Sequence, residues 1–226
     1  MNLNIRVWDW HDGKTGKDHC IAFSTLIPTN EWFIWGQLKL DHATNTTDMI
    51  VAEIAEKSGM LKYGFNLIDP LANRTQSTAN LVVNLQTTVV FDINQEFRRL
   101  KKEGDCTGGI WETWDTKSLR GRERIKTRLR NSIKCKEPYN NAVENEKTGM
   151  FEYLPTIWIN KLTCPDIWKS IAKWCLGKNG DPEQQHSHFC TALEAIEKDI
   201  RFKAKMSIEE FETKSPYANY FHMNRS

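Results

Sequence analysis

The chain has 226 residues, of which 39% are hydrophobic and 27% are charged, a balance typical of a folded globular protein and not of a disordered one. This length suits one large domain or two small ones. The net charge of only +2 excludes a strongly basic field over the whole molecule, so any binding of nucleic acid must depend on local clusters of basic residues.

Three strands are predicted at the start of the chain, over residues 4–10, 19–28 and 31–40. The links between them are short, which favours an antiparallel meander. The first strand is apolar at alternating positions and ends on the carboxylate of Asp9, immediately before a polar turn that contains Gly13. A strand that ends in this way holds an acidic side chain on a rigid element.

A helix and a fourth strand follow the meander. The helix is predicted to begin after Thr46 and to end at Gly59, because apolar residues recur at helical spacing between them. The fourth strand covers residues 63–70 and also carries a carboxylate at its end, Asp69, before Pro70 breaks the strand. A connection through a helix is what a parallel crossover requires.

The middle of the chain is less regular. Residues 78–86 fit a helix or an extended segment equally well, and residues 94–103 predict a helix that Gly104 stops. The run from 108 to 114 predicts a short strand or the arm of a hairpin. Its two tryptophans, Trp111 and Trp114, fit a position in the core as well as one beside a cleft.

Residues 117–136 predict an amphipathic helix with a strongly basic outer face. Nine basic residues are opposed by one acid, Glu123, and Leu119, Ile125, Leu129 and Ile133 form the apolar stripe. Such a face can bind backbone phosphates without reading sequence, although a solvated helix surface is the alternative. The predicted DNA contacts are Lys117, Arg120, Arg122, Arg124 and Arg128.

The last part of the chain predicts a mobile polar loop over residues 137–150, a strand over 154–160, a helix from Pro165, a turn over 177–182 and a helix over 183–200. One α/β domain therefore accounts for residues 1–205, followed by a C-terminal tail over 206–226. The six cysteines contain no CxxC pair, which predicts free thiols in a reducing compartment. We also expect no signal peptide and no membrane span, and hence a cytoplasmic protein.

Three antiparallel strands, a crossover helix and then parallel strands alternating with helices is the ribonuclease H-like order. In that order the first and fourth strands lie side by side, which brings Asp9 and Asp69 together at one edge of the sheet. Paired carboxylates can bind hard divalent cations, and two such ions can activate a water for phosphodiester cleavage. The alternative is that each aspartate only caps a turn.

The chain resembles the nuclease domain of the large terminase subunit of tailed bacteriophages. The likeness covers most of the chain and lies in the order and spacing of several segments. These are Val7–Trp10, Asp18–Ala22, Leu67–Ala72, Ser118–Leu129, Leu154–Trp174 and His186–Ala195.

The resemblance implies a metal-dependent endonuclease that cuts double-stranded DNA during phage genome packaging. It implies Mg²⁺ or Mn²⁺, two ions, held by Asp9, Asp69, His188 and the position of Thr191. The family carries a third acid where this chain has Thr191, which removes one negative charge and should weaken the second cation most. Glu194 is a candidate replacement, and Asp12 and Asp18 are weaker ones.

Family members carry an ATPase motor ahead of the nuclease, but this chain has no G-x-x-x-x-G-K-S/T loop to hold phosphates, so we expect no ATP binding. The motor is then expected on a longer protein or on a separate chain. The partners that the resemblance implies are double-stranded DNA, a packaging ATPase domain, the small terminase subunit and the portal, with no membrane.

The sequence is also compatible with two other functions. The replacement at Thr191 favours a ribonuclease H-like module that binds DNA or docks to a partner without cutting. The fold is also compatible with a nuclease for branched DNA, such as a Holliday-junction resolvase or an integrase-like enzyme.

Overall fold

The computed structural model describes residues 2–11, 16–41, 46–73, 87–114, 121–174 and 187–198. The strands are β1 (Leu3–Asp9), β2 (His19–Leu26), β3 (Glu31–Leu40), β4 (Phe65–Ile68), β5 (Trp111–Thr113), β6 (Ala142–Glu144), β7 (Phe151–Tyr153) and β8 (Thr156–Ile159). The helices are α1 (Thr47–Ser58), α2 (Val89–Glu103), α3 (Gly121–Cys135) and α4 (Pro165–Ala172). Residues 187–198 are also helical and are called α5.

Six strands form one mixed sheet in the order β5-β4-β1-β2-β3-β8. The meander β1-β2-β3 is antiparallel, whereas β4 pairs parallel with β1, β5 with β4, and β8 with β3. The predicted ribonuclease H-like mixed sheet, with its first and fourth strands side by side, is therefore confirmed. The parallel pairing follows from the crossover through α1, which returns the chain to the same end of the sheet.

Helices cover both faces of the sheet, and side chains of β1 pack against both helical layers. Ile5 and Val7 point to one face and pack in a cluster with residues of α3, α4 and α5. Trp8 points to the other face and packs with residues of α1 and α2. All three side chains are fully buried, so the strand that carries Asp9 is packed into the core on both faces.

The boundaries of α2 illustrate why these helices form where they do. The hydroxyl of Thr88 accepts a hydrogen bond from the backbone N–H of Phe91 and so caps the start of the helix. Gly104 ends it in the left-handed conformation, with φ of 87°. This stop agrees with the sequence prediction, although the helix begins earlier than the predicted residue 94.

Two predictions about secondary structure need correction. The predicted loop over 137–150 contains β6, which forms an exposed hairpin with β7, and the hairpin explains its polar composition. Of the two interpretations of 108–114, the hairpin arm is wrong, because β5 is a parallel strand of the main sheet. Trp111 and Trp114 are 1% and 7% exposed, so both are core residues.

The apolar stripe predicted for α3 is also partly wrong. Ile125 is fully buried as expected, but Ile133 is 78% exposed. Polar side chains take its place on the inner face, among them Ser132, which donates to Arg128 O and Ile157 O and accepts from the backbone N–H of Ile157. The helix therefore meets β8 through hydrogen bonds, which a search for apolar periodicity cannot detect.

Some predictions lie outside the described residues, namely the segment 78–86, the turn 177–182 and the tail 206–226. The domain boundary at 205 stays a prediction for the same reason. Five of the cysteines are described, and all five are buried free thiols, as predicted. Among the helices of the described ranges, none is both long and apolar enough to cross a membrane.

Candidate metal centre

Asp9 lies at the carboxyl end of β1, where it is paired with Cys20 of the neighbouring strand. Its side chain is almost fully buried, with 3% of the residue exposed. A buried carboxylate is costly unless charged or hydrogen-bonding groups surround it. The groups that face Asp9 therefore decide what the site can do.

Asp69 follows β4 and stands next to Asp9 because the two strands are parallel and in register. Its backbone N–H donates to Trp8 O at 3.0 Å, which continues the β1–β4 pairing by one step. The side-chain Oδ1 accepts a 2.7 Å hydrogen bond from the backbone N–H of Leu71. The two aspartates that the sequence singles out are thus brought together at one edge of the sheet.

Two histidines converge on the Asp9 carboxylate. His188, near the start of α5, has Nδ1 3.0 Å from Asp9 Oδ2, and His11 has Nε2 3.2 Å from the same oxygen. The two ring nitrogens are themselves 2.9 Å apart. The backbone N–H of His11 donates to Nδ1 of His19 at 3.3 Å, which helps to hold the short segment after β1 in place.

The electrostatics of the two carboxylates differ. Burial works against ionisation of Asp9, but hydrogen bonds from His11 and His188 outweigh it and lower its pKa below the ordinary value. Burial, together with the nearby charge of Asp9, raises the pKa of Asp69 to about 6 in spite of the Leu71 hydrogen bond. Because like charges crowd the site, a cation that bridges or adjoins both groups would be favoured there.

His11 was missed by the sequence analysis, although a signal for it existed. Side chains two positions apart on a strand point to the same side, so an Asp-x-His at the end of β1 can present both groups to one site. Asp9, His11 and His188 form a group whose potential ligand atoms all lie within 4.8 Å of one another.

The other predicted ligands are distributed differently. Thr191 lies one helical turn after His188 and is exposed to solvent. Glu194, the candidate replacement for the third acid, is paired instead with Arg122 at 3.1 Å. Asp18 pairs with Lys39 at 3.0 Å, and Asp12 lies outside the described residues.

The basic residues of α3 correct part of the predicted DNA surface. Arg128 is 4% exposed and forms a buried ion pair with Glu197, so its guanidinium is not available to bind DNA. Arg124 donates to Glu197 O at 2.8 Å, and Arg122 is engaged by Glu194. Lys117 and Arg120 lie outside the described residues. The inner side of this helix uses its cations to attach α5, which the sequence pattern alone does not reveal.

A groove of about 250 Å³ adjoins His188 and carries a second group of basic residues. Lys39 of β3, Lys169 of α4 and Lys173, which directly follows α4, line it. The last two are exposed and lie four residues apart, and the backbone N–H of Lys173 donates to Lys169 O at 3.0 Å. Asp166 also lines the groove that holds this row of lysines, and His188 connects the groove to the edge of the sheet where Asp9 lies.

No family model and no curated protein matches the chain. Among solved structures, the large terminase nuclease domain of phage P22 is similar, with a TM-score of 0.50, 11% identity, and coverage of 89% of this chain and 82% of that one. The nuclease domain of the large terminase (g2p) of bacteriophage SPP1, solved with bound Mn, gives a TM-score of 0.45, 16% identity, and coverage of 87% and 86%. The likeness to the P22 domain is one of fold, and it agrees with the ribonuclease H-like sheet described above.

Proposed function

We propose that this chain is a divalent-metal-dependent endonuclease that cuts double-stranded DNA. The observation that carries the proposal is the meeting of Asp9 and Asp69 at neighbouring ends of parallel strands, with His188 turned onto Asp9. Two carboxylates at such an edge provide the oxygen ligands that hard cations prefer. The ionised, buried Asp9 also fits a cation, because a positive charge would offset the cost of its burial.

Asp9, Asp69 and His188 are the residues that would hold the ions, proposed here as one or two Mg²⁺ or Mn²⁺. A bound cation supplies an activated water and neutralises the charge that develops on the phosphate. The protein's own part is to orient these ligands. The end of β1 is fixed by fully buried neighbours, and His188 is carried by α5, whose inner residues are core.

The row of lysines beside His188 supports a nucleic acid as the substrate. Lys169 and Lys173 line the groove that adjoins His188, and their cations would bind the phosphates of a nucleic-acid backbone lying there. These contacts carry no sequence information, so binding should depend on salt and not on base sequence. Of the α3 residues, exposed Arg130 and Lys134 remain candidates for further backbone contacts.

A role in phage genome packaging is the finer part of the proposal. It is supported by the order of the sequence motifs and by a fold shared with the P22 large terminase nuclease domain. In that role the chain would work with a packaging ATPase domain, the small terminase subunit and the portal, in the cytoplasm of an infected host.

Digestion of a supercoiled plasmid tests the nuclease proposal. The wild-type protein should nick and linearise the plasmid with Mn²⁺ or Mg²⁺, and Asp9→Asn and Asp69→Asn should abolish cutting because each removes an anionic ligand. Asp105→Asn, which changes an exposed carboxylate outside the site, is the matched control and should cut normally. Equal cutting by wild type and Asp9→Asn would refute the assignment.

A second candidate is a DNA-binding or docking module that no longer cuts. It is favoured by Thr191 in place of an acid and by the pairing of Glu194 with Arg122, which leaves Asp9 and Asp69 as the two carboxylates of the described site. Salt-dependent DNA binding without cleavage in any metal would support this alternative. Cleavage restricted to four-way junctions would instead indicate a branched-DNA resolvase.

A further inference from the structure

Asp9, His11 and His188 present three potential ligand atoms in a nearly equilateral triangle. Its sides are 2.9 Å between the two ring nitrogens, and 3.0 Å and 3.2 Å from these nitrogens to Asp9 Oδ2. The imidazole rings meet edge to face, with an interplanar angle of 78°, so they do not stack on each other. All three atoms therefore converge on one small volume.

Hydrogen bonds cannot make all three contacts of this triangle favourable at the same time. Each of the two ring nitrogens carries either a proton or a lone pair, and Asp9 Oδ2 of an ionised carboxylate only accepts. If both nitrogens are protonated, their N–H groups oppose each other, and if only one is, the other nitrogen sets a lone pair against the carboxylate. No choice of tautomer makes all three contacts attractive, whereas a cation at the centre does.

The size of the triangle suits a first-row transition ion. Metal–nitrogen and metal–oxygen bonds of about 2.1 Å at right angles separate the two ligand atoms by about 3.0 Å. The three measured separations lie within about 0.2 Å of that value. The triangle thus matches one face of an octahedron, the arrangement used by two histidines and one carboxylate in known non-haem sites.

We infer that Asp9, His11 and His188 form a two-histidine, one-carboxylate site that selects a transition ion such as Mn²⁺, Co²⁺ or Zn²⁺ over Mg²⁺. Imidazole nitrogen binds these ions well, whereas Mg²⁺ favours oxygen ligands and keeps its waters. Asp69, which directly follows the strand paired with β1, is a neighbouring carboxylate outside this group of three. This inference concerns the site of the proposed nuclease and names its metal class, with His11 as the residue that sets the preference.

Metal binding to the DNA-free protein tests the inference without using activity. Metal-free protein is titrated with Co²⁺, and binding is followed by the visible absorption of the Co²⁺ ion. Binding of Mn²⁺ and Mg²⁺ is measured by calorimetry. One Co²⁺ should bind per chain, at least about 100-fold more tightly than Mg²⁺. His11→Ala should weaken Co²⁺ binding by about 10- to 100-fold or more and leave Mg²⁺ binding nearly unchanged.

Further variants keep the result interpretable. Asp9→Asn should weaken both ions, and Asp105→Asn should change neither. Circular dichroism checks that His11→Ala folds, with His11→Gln as a second variant, and the competition between Co²⁺ and Mg²⁺ on the wild type needs no variant at all. Equal affinity for the two ions, or Co²⁺ binding that is insensitive to both His11 variants, would overturn the inference.

The inference and the nuclease proposal fail in different ways. If Co²⁺ binds through His11 but no metal supports cleavage, the nuclease proposal fails and the site assignment stands. If Mg²⁺ supports cleavage but Mg²⁺ and Co²⁺ bind the wild type with equal affinity, the nuclease proposal stands and the preference for a transition ion is wrong.

Discussion

Replacement of Arg128 by Met should lower the free energy of unfolding, and a loss of DNA affinity should not be its main effect. The guanidinium of Arg128 is buried with its partner Glu197, and each side chain is 4% exposed. It also donates to Asn30 O at 2.9 Å and Thr156 O at 3.1 Å, and to the Asn30 side chain at 3.1 Å. One side chain thus joins α3 and α5 to the loop before β3 and to the edge strand β8.

The magnitude follows from what Arg128→Met leaves behind. Glu197 would remain buried as an unpaired anion, and removal of one partner of a buried ion pair costs about 3–5 kcal/mol. For a domain of this size, each kcal/mol lowers the melting temperature by about 2–4 °C, so a fall of roughly 6–20 °C is expected. The double variant Arg128→Met/Glu197→Leu removes both buried charges of this pair and should recover most of the lost stability.

Urea unfolding followed by circular dichroism measures these differences. Arg130→Met, an exposed arginine on the same helix, is the control and should stay within about 0.5 kcal/mol of the wild type. DNA affinity at several salt concentrations is measured in parallel. If Arg128→Met keeps wild-type stability and loses DNA binding instead, the guanidinium reaches phosphates and the buried ion pair is the wrong description.

Three further predictions concern protonation, packing and reactivity. In metal-free protein the pKa of Asp69 is raised to about 6, so the folded state binds the proton more tightly than the unfolded state, and this contribution to stability is lost as the pH rises from about 4 to about 6. The loss is about 1 kcal/mol after allowance for the partial exposure of Asp69. Urea midpoints measured in EDTA between about pH 4 and about pH 6 should show this loss in the wild type and not in Asp69→Asn. The same dependence of the midpoint on pH in both proteins would contradict the assigned pKa. Gly109→Ala should lower the free energy of unfolding by about 1–3 kcal/mol, because the φ of Gly109 is 137° and a Cβ would lie 2.6 Å from the nearest side-chain nitrogen. In the control Gly104→Ala the new Cβ meets no atom, so the same urea experiment should show only the smaller cost of backbone strain. Cys20 and Cys190 should resist iodoacetamide at pH 8 until urea is added, because burial raises the pKa of both thiols, that of Cys190 to about 12; rapid labelling of the native protein would show that these thiols open to solvent.

The placement of Asp9 beside Asp69 was predictable because it depends on chain connectivity. A short-linked meander followed by a helical crossover leaves few positions for the fourth strand, and the side next to β1 is one of them. The location of each aspartate at the sheet edge then follows from its position at the end of its own strand. Local patterns were sufficient at this point because the residues that matter directly follow regular elements.

Arg128 and His11 show where the sequence falls short. A basic helix has the same pattern whether a guanidinium faces solvent or pairs with Glu197, which is 69 positions away in the chain. His11 was overlooked because its partner His188 is 177 positions away, and only the fold brings α5 against the end of β1. In both cases the deciding contact joins distant segments, which neither periodicity nor composition encodes.

The position of β8 has a consequence for synthesis of the protein. Residues 31–34 of β3, which include Trp32 and Ile34 of the core, pair on their outer side with residues 156–159. At about 5–20 residues per second, the ribosome delivers β8 roughly 6–25 s after β3. During that interval the meander carries an uncovered, aromatic-rich edge of the kind on which other chains aggregate. The yield of native protein should therefore improve at low temperature or with abundant chaperones. Apart from any chemistry, the last third of the chain covers the exposed edge of the first third and prevents its aggregation.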